Sequence, residues 1–373
     1  MKTITGYVNQ IERSGRESIH APSPVDGLMA TIVDVARAAQ VSAATVSRVL
    51  NGNGGVSPEV AKRVLKVVEE LQYAPNPSAR NLRRNECRVI LILAPNVTNP
   101  YYTHIIAGIG KAAHQLGYSS FLCNTEGDRA QEEQALNMLV RRHADGAILL
   151  ATELGSDWLT PYTEHFPLVQ CSEFDPNIGI PRVAIDNYNA ALEVMAYLLK
   201  LNHTRIGFIS STNKYVSTAL RLQGYRDSLA AAGIPIKEEY IRYATIDYTF
   251  KSGFDAAKSL LSQEKRPTAL FCISDMLALG AIASAREMGF RVPEDVTVVG
   301  FDDVEHTTMF HPYVTTVAQP CFELGVTAME MLQCALTQKP MEREVLLPYK
   351  LMVRESSAPR RSSLDFTACV TGR

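Results

Sequence analysis

Arg48 is the residue best suited by type and setting to read a nucleic-acid base. It lies in the run S-A-A-T-V-S-R-V-L, residues 42–50. Helical spacing puts Val46, Val49 and Leu50 on one face and Thr45, Ser47 and Arg48 on the other. Short hydroxyls reach phosphates, and a guanidinium pairs with two acceptors of guanine, a contact worth ~1–3 kcal/mol of discrimination. A second set is dispersed along the chain: Tyr101 and Tyr102 in N-P-Y-Y, Arg221 in A-L-R-L-Q-G-Y, Tyr248 in D-Y-T-F, Asp275 in S-D-M-L-A-L-G and Asp302 in G-F-D-D. Aromatic faces bracketing a planar or sugar ring, with Arg and Asp on its polar edge, make a small-molecule site. Plainer readings stand beside both sets: a generic helical hairpin over 31–50, and a helix cap without ligand contact for Asp275.

The elements that must position these residues follow from periodicity. Thr31 and Asp34 have capping-box spacing, and Ile32, Val35, Ala36 and Ala39 form an apolar face behind them. Gln40-Val41-Ser42 suits a tight turn, with Ser42 as the cap of a second helix, and Ala36 is small enough for two helices to cross. Ser57-Pro58-Glu59 starts a third helix, in which Val60, Val64, Val67, Val68 and Leu71 repeat at helical spacing. This is the layout of a helix-turn-helix. From Val89 onward short apolar runs alternate with helical patterns: V-I-L-I-L-A, S-F-L-C-N, G-A-I-L-L-A and P-L-V-Q-C, then a second series of R-I-G-F-I-S, T-A-L-F-C-I and V-T-V-V-G-F. Buried strands alternating with helices predict parallel sheets covered on both faces, here as two doubly wound lobes. The candidate ligand residues fall at the carboxyl ends of those strands, where this architecture binds ligands.

The charge distribution agrees with a division of labour. Residues 29–88 carry nine Lys/Arg against five Asp/Glu, whereas residues 89–373 carry 25 against 31. A basic segment on an acidic body points to an electrostatic contact made by one end. The seven cysteines show no C-x-x-C spacing, which disfavours a disulfide framework or zinc site and fits a reducing cytoplasm. No run approaches the ~18 apolar residues of a membrane span, and residues 1–28 lack a signal-peptide core. The expected organisation is therefore 1–28 as an extension, with Met29 a candidate start; 29–76 as the helix-turn-helix domain; 77–88 as a linker; 89–358 as the two-lobed effector-binding and dimerisation domain; and 359–373 as a tail.

Other matches are set aside. Gly108-Ile109-Gly110-Lys111-Ala112-Ala113 fits a dinucleotide pattern but begins well inside a helical stretch, where no strand-to-helix turn can hold a pyrophosphate. Ser211-Thr212-Asn213-Lys214 lacks companion motifs, and the eight histidines make no metal pattern. No cofactor, metal site or catalytic constellation is expected. A periplasmic-type sugar-binding protein and an α/β enzyme remain as alternatives at this point.

The residues also carry a resemblance. The run T-I-V-D-V-A-R-A-A-Q-V-S-A-A-T-V-S-R-V-L-N, followed by L-Q-Y-A-P-N and S-A-R-N-L, resembles the headpiece of the LacI/GalR family of bacterial transcriptional regulators. The resemblance extends to about Ala358. It implies a cytoplasmic homodimer on operator DNA, a repressor most naturally, with an effector between the lobes altering operator affinity by rotation of the lobes. It adds Thr31, Ser42, Ala43, Ala44, Asn51 and Tyr73 to the DNA-contacting residues. It makes 77–84 a hinge helix, with Leu82 as a minor-groove wedge and Arg80, Arg83 and Arg84 near phosphates. In the core it implies that Tyr101 and Tyr102 are a stacking pair, Arg221 and Asp302 are ligand-binding groups and Tyr248 is a stacking aromatic. Tyr215 and Ser217 occupy further ligand positions, though with different residue types. The segments S-E-F-D-P-N-I-G-I-P, R-L-Q-G-Y and D-Y-T-F-K-S-G are similar to the cytidine and purine repressor branches, which implies a nucleoside or nucleobase effector, with a sugar derivative open.

Overall fold

A computed structural model describes residues 30–50, 55–73 and 86–360. The chain divides into two compact units, Met1–Asn85 and Glu86–Arg373. Asn51, Arg80, Leu82, Arg83, Arg84 and Met29 lie outside the described residues.

The first unit is built from α1 (Ile32–Ala38), α2 (Ala43–Leu50) and α3 (Pro58–Glu70). The Thr31–Asp34 capping box forms as its spacing predicts. Gln40 takes a left-handed φ of +53° to turn the chain, and the Ser42 Oγ accepts from Thr45 N to start α2. Ser57 caps α3 with Pro58 in its first turn. Val35, Ala36, Ala39, Val46, Val64 and Val67 close a small core, and Arg63 Nε donates to Ala39 O across it.

The second unit has two six-stranded sheets. In the first, β1 (Val89–Ala94), β2 (Ser119–Asn124), β3 (Gly146–Leu149), β4 (Leu168–Cys171), β5 (Arg182–Ile185) and β11 (Glu344–Leu347) are ordered β11-β5-β4-β3-β1-β2. In the second, β6 (Ile206–Ser211), β7 (Ile241–Ala244), β8 (Ala269–Cys272), β9 (Thr297–Asp302), β10 (Thr315–Ala318) and β12 (Lys350–Met352) are ordered β12-β10-β9-β8-β6-β7. All pairings are parallel except β10 with β12. Strand order reverses at β1 and at β6, so each lobe has a switch point with its crevice at the strand ends.

Helices α4 (Pro100–Gln115), α5 (Arg129–Val140) and α6 (Ser156–Thr163) belong to the first lobe, and α7 (Asn187–Lys200), α8 (Val216–Ala231), α9 (Phe250–Leu261) and α10 (Asp275–Glu287) to the second. The last, α11 (Cys321–Leu336), returns to the first lobe. The chain thus passes between lobes three times: after β5, between β10 and α11, and between β11 and β12.

Each lobe contains a helix pair in close backbone contact. A Cβ on Gly108 of α4 would lie 2.1 Å from Phe322 O, and one on Gly325 of α11 would lie 2.0 Å from Ile105 O. In the second lobe a Cβ on Gly253 would lie 2.4 Å from Leu277 O and one on Gly280 2.1 Å from Phe250 O. The glycines in the G-x-G-x-x-A match are accounted for in part: Gly108 serves helix packing, not a phosphate.

Two expectations need correction. The S-F-L-C-N run, read as a buried strand, is the edge strand β2, with Phe121 and Leu122 exposed. The linker expected over 77–88 gives up its last residues to the core, because Cys87 N and Arg88 N donate to the Asp145 carboxylate at 2.7 and 2.6 Å. Strands β5, β7, β10, β11 and β12 were not singled out by periodicity. Each is only three or four residues long.

Candidate functional site

In the headpiece Arg48 and Ala44 are exposed on α2. Ala43, Thr45 and Ser47 are half-buried, a correction to the expectation that Thr45 and Ser47 stand free on the outer face. Thr45 Oγ1 lies 2.9 Å from Ser42 Oγ, so both hydroxyls serve the start of the helix. Thr31 spends its hydroxyl on Asp34 Oδ2 at 2.6 Å. Tyr73, expected at DNA, packs instead into the headpiece core beside Val35 and Val64, because the turn after α3 folds the ring inward.

In the core, Asn99 caps α4 by accepting from Tyr101 N, with Pro100 in the first helical position. Tyr102 of that first turn faces a cavity of about 550 Å³ that both lobes line. Tyr215 and Tyr248 face it from the second lobe, and Asn96, Asn99 and Asn124 from the first. Three rings and three amides therefore enclose a space of the size that small ligands fill. Tyr248 is held in place by Asn213 Nδ2, which donates to its hydroxyl at 2.7 Å, and by Thr218 Oγ1 at 3.1 Å. Burial pushes its phenol up to about 12.

Arg221, Asp302 and Ser217 do not line that cavity and are buried among the strand ends of the second lobe. Arg221 donates from Nε to Asn187 Oδ1 at 2.9 Å and from Nη1 to Ile273 O at 2.6 Å, and its guanidinium lies 3.6 Å above the Phe301 ring. Asp302 Oδ1 accepts from Gln319 Nε2 at 2.8 Å. Gln319 Oε1 in turn accepts from Tyr101 Oη at 3.2 Å, and Tyr101 Oη also pairs with Ser172 Oγ at 2.6 Å. A chain of hydrogen bonds thus runs from the first lobe to the second through a crossing segment. Burial raises the Asp302 carboxyl to about 7, against the opposing pull of Arg221 and Gln319.

Glu173, just beyond β4, is a residue that sequence reasoning missed as a site residue. Its Oε2 accepts from Ser217 N at 3.1 Å and its Oε1 from Ser217 Oγ, so a carboxylate of the first lobe caps a helix of the second. Burial raises its pKa, while Ser217 and Arg221 pull it down.

Two predicted ligand residues have other work. Asp275 is fully buried in the first turn of α10, behind the cap Ser274. Its Oδ1 accepts from Thr316 Oγ1 at 2.6 Å and its Oδ2 from Val304 N at 2.9 Å. Gly300 makes room for it, since a Cβ there would lie 2.2 Å from Asp275 Oδ1. Both oxygens are committed inside the lobe, so it ties β9 and β10 together. Tyr101 meets Tyr102 edge to face at 66° and not as a parallel pair, and its hydroxyl is engaged as above.

Strained backbone marks the same region. Ser172, Tyr248, Asp302 and Asp303 have φ of +75°, +53°, +121° and +60°. Such conformations cost on the order of 1–3 kcal/mol each and persist where surrounding contacts impose them. Here those contacts include Tyr101 on Ser172, Asn213 on Tyr248, Gln319 on Asp302 and Arg354 on Asp303, the last at 2.6 Å.

Comparison with known proteins agrees with this architecture. Residues 31–76 match the model for bacterial regulatory proteins of the lacI family. Residues 87–355 match that for periplasmic binding proteins and the sugar-binding domain of the LacI family. The chain is 38% identical over 304 residues to the HTH-type transcriptional repressor CytR of Escherichia coli K12, covering 81% of this chain and 89% of that protein. It is 35% identical to the ribose operon repressor of the same strain, over 88% of this chain and 100% of the other. Among solved structures, the Lac repressor dimer bound to operator and an anti-inducer matches with a TM-score of 0.79 at 26% identity, over 88% of this chain and 99% of that one.

Proposed function

The chain belongs to the LacI family of bacterial regulatory proteins, and on that footing we propose that it is a repressor whose hold on operator DNA is set by a nucleoside or sugar bound between the core lobes. The observation that carries the reading is the cleft itself. Tyr102 of one lobe and Tyr215 and Tyr248 of the other face a single cavity, while Arg221 and Asp302 stand behind it at the strand ends. Ligand held by both lobes favours one relative placement of them, and any difference in DNA affinity between placements becomes regulation. The relatives named as repressors support a regulator over a catalyst.

At the DNA end, Arg48 and Ala44 are the outward-facing readers, with Ala43 beside them. Ser42, Thr45 and Ser47 stand near the start of the same helix, whose amino end favours phosphate. Thr31 takes the equivalent place on α1. Asn51, Arg80, Leu82 and Arg83 complete the interface in this proposal. Two alanines at reading positions offer apolar contact, for instance to a thymine methyl.

The protein acts as a homodimer on a two-fold related operator in the cytoplasm. The exposed edge strands support the dimer. Phe121 and Leu122 on β2 and Tyr243 on β7 are uncovered, and Gly127 and Ile246, in the turns that follow these edge strands, line the same cavity, which places both edges on one side. A second copy would cover this apolar edge.

The test is a thermal-shift panel of nucleosides, nucleobases and sugars on the full-length protein, followed by operator binding with each hit. A hit stabilises the native state and changes operator affinity. A hit that leaves DNA affinity unchanged refutes the regulatory coupling, and a panel with no hit refutes the effector class.

A further inference from the structure

The amino end of α8 is where an anionic ligand would naturally bind in this cleft. It opens between the lobes, its cap Tyr215 makes no side-chain capping bond, and first-turn N–H groups with the helix dipole attract negative charge. That place is already taken. The Glu173 carboxylate of the facing lobe accepts from both the N–H and the hydroxyl of Ser217, with Glu173 8% and Ser217 2% exposed.

The buried cation of the helix offers no substitute. Arg221, one turn further along α8, spends two of its nitrogens on Asn187 and Ile273 and holds its guanidinium 3.6 Å from the centre of the Phe301 ring. The cavity that Tyr102, Tyr215 and Tyr248 line contains Glu126 and Asp247 and no lysine or arginine. A second opening of about 430 Å³ on the other side of Tyr215 contains Glu153, Glu173 and Asp175 against Lys214 alone. A phosphate entering either way meets like charge at both mouths and a helix end already neutralised from within.

We propose that Glu173 is a specificity-determining residue that makes the cleft refuse phosphorylated ligands and admit their uncharged counterparts. The inference rests on the reading of the cleft as the effector site and narrows it. The site separates a nucleoside from its nucleotide, or a pentose from its phosphate, by occupying the anion position with a carboxylate of its own. Discrimination of this kind works through an unfavourable element built against the wrong ligand.

The experiment uses inorganic phosphate as probe on the full-length protein, with chloride at equal ionic strength as control, read by calorimetry and thermal shift. Glu173→Ala vacates the helix end, and Glu173→Gln keeps the shape and removes the charge, so one variant covers a folding failure of the other. Wild type should show no saturable phosphate binding. Either variant should acquire it, with affinity at least about tenfold above the upper limit set by the wild-type titration, and adding Ser217→Pro, which deletes the donor N–H, should abolish the gain. Saturable binding to wild type, or no gain in a folded variant, overturns the proposal. A parallel arm with ribose and ribose 5-phosphate should show no preference of wild type for the phosphate; tighter binding of ribose 5-phosphate also overturns it. Because the phosphate arm requires no effector, its failure is distinct from failure of the ligand panel.

Discussion

Asp302→Asn removes a charge that burial makes costly. The carboxyl is 7% exposed, and its pKa stands at about 7 against an ordinary 3.8. Between these values the folded chain keeps a proton that the unfolded chain has released. Stability therefore falls as pH rises through that window and levels off above it. At ~1.4 kcal/mol per pH unit, a shift of about three units sets a ceiling of ~4 kcal/mol. Asp275, also raised by burial and by the Asp302 charge, shares the cost, so the ceiling belongs to the pair. The asparagine keeps an oxygen to accept from Gln319 while carrying no charge. Urea unfolding of the full-length protein from about pH 5 to about pH 8 should show a falling midpoint for wild type. The variant should show a flatter line that lies above wild type at the alkaline end. Some slope will remain, because burial also raises Glu132 and Glu173. Parallel lines for the two proteins, or a variant weaker at pH 8, would refute the reasoning. The same variant should blunt the response to any neutral ligand found in the panel, since Asp302 is joined through Gln319 to Tyr101 across the lobes.

Arg48→Ala should weaken operator binding by ~1–3 kcal/mol in fluorescence anisotropy while leaving random DNA and core ligand affinity nearly unchanged; equal loss on random DNA would contradict base reading. Gly325→Ala should destabilise the core by ~1–3 kcal/mol in denaturant titration, because its new methyl meets Ile105 O at 2.0 Å. Gly110→Ala, where nothing lies within 4 Å, is its control and should stabilise by ~0.5–1 kcal/mol; matching effects at the two sites would remove the close-approach argument.

The sequence displayed the parts of this molecule that rest on local rules. The capping box at Thr31, the turn at Gln40 and the Pro58 start need only neighbours in the chain, and all three form as read. The parallel lobes were visible because buried strands such as V-I-L-I-L-A are apolar on both faces. The missed strands β5, β7, β10, β11 and β12 are short and each carries a charged or hydroxyl residue, such as Arg182, Arg242, Thr315, Glu344 or Lys350, which breaks up the apolar run. The edge strand β2 looked buried because its residues are apolar, and exposure depends on what lies beside it. Within the site, Tyr102 and Tyr248 were legible as aromatics at strand ends, and Tyr215 only through the family resemblance. Glu173 was visible in its segment but its role was not, because its partner Ser217 is 44 residues away in the other lobe. Gln319 was missed for the same reason, as it joins Tyr101 to Asp302 only once the chain has crossed back. Asp275 and Tyr73 show the reverse: the type of the one and the family resemblance of the other pointed to a ligand or to DNA, and packing claimed both for the interior.

The glycine contacts between α4 and α11, and between α9 and α10, have a mechanical corollary. Main chain resting on main chain leaves no side chain to yield between these helices, so each half of the core is expected to move as a unit. Gln319 sits in one of the three connecting segments, bonded at one end to Tyr101 and at the other to Asp302. Whatever neutralises or engages that acid acts directly on the pivot.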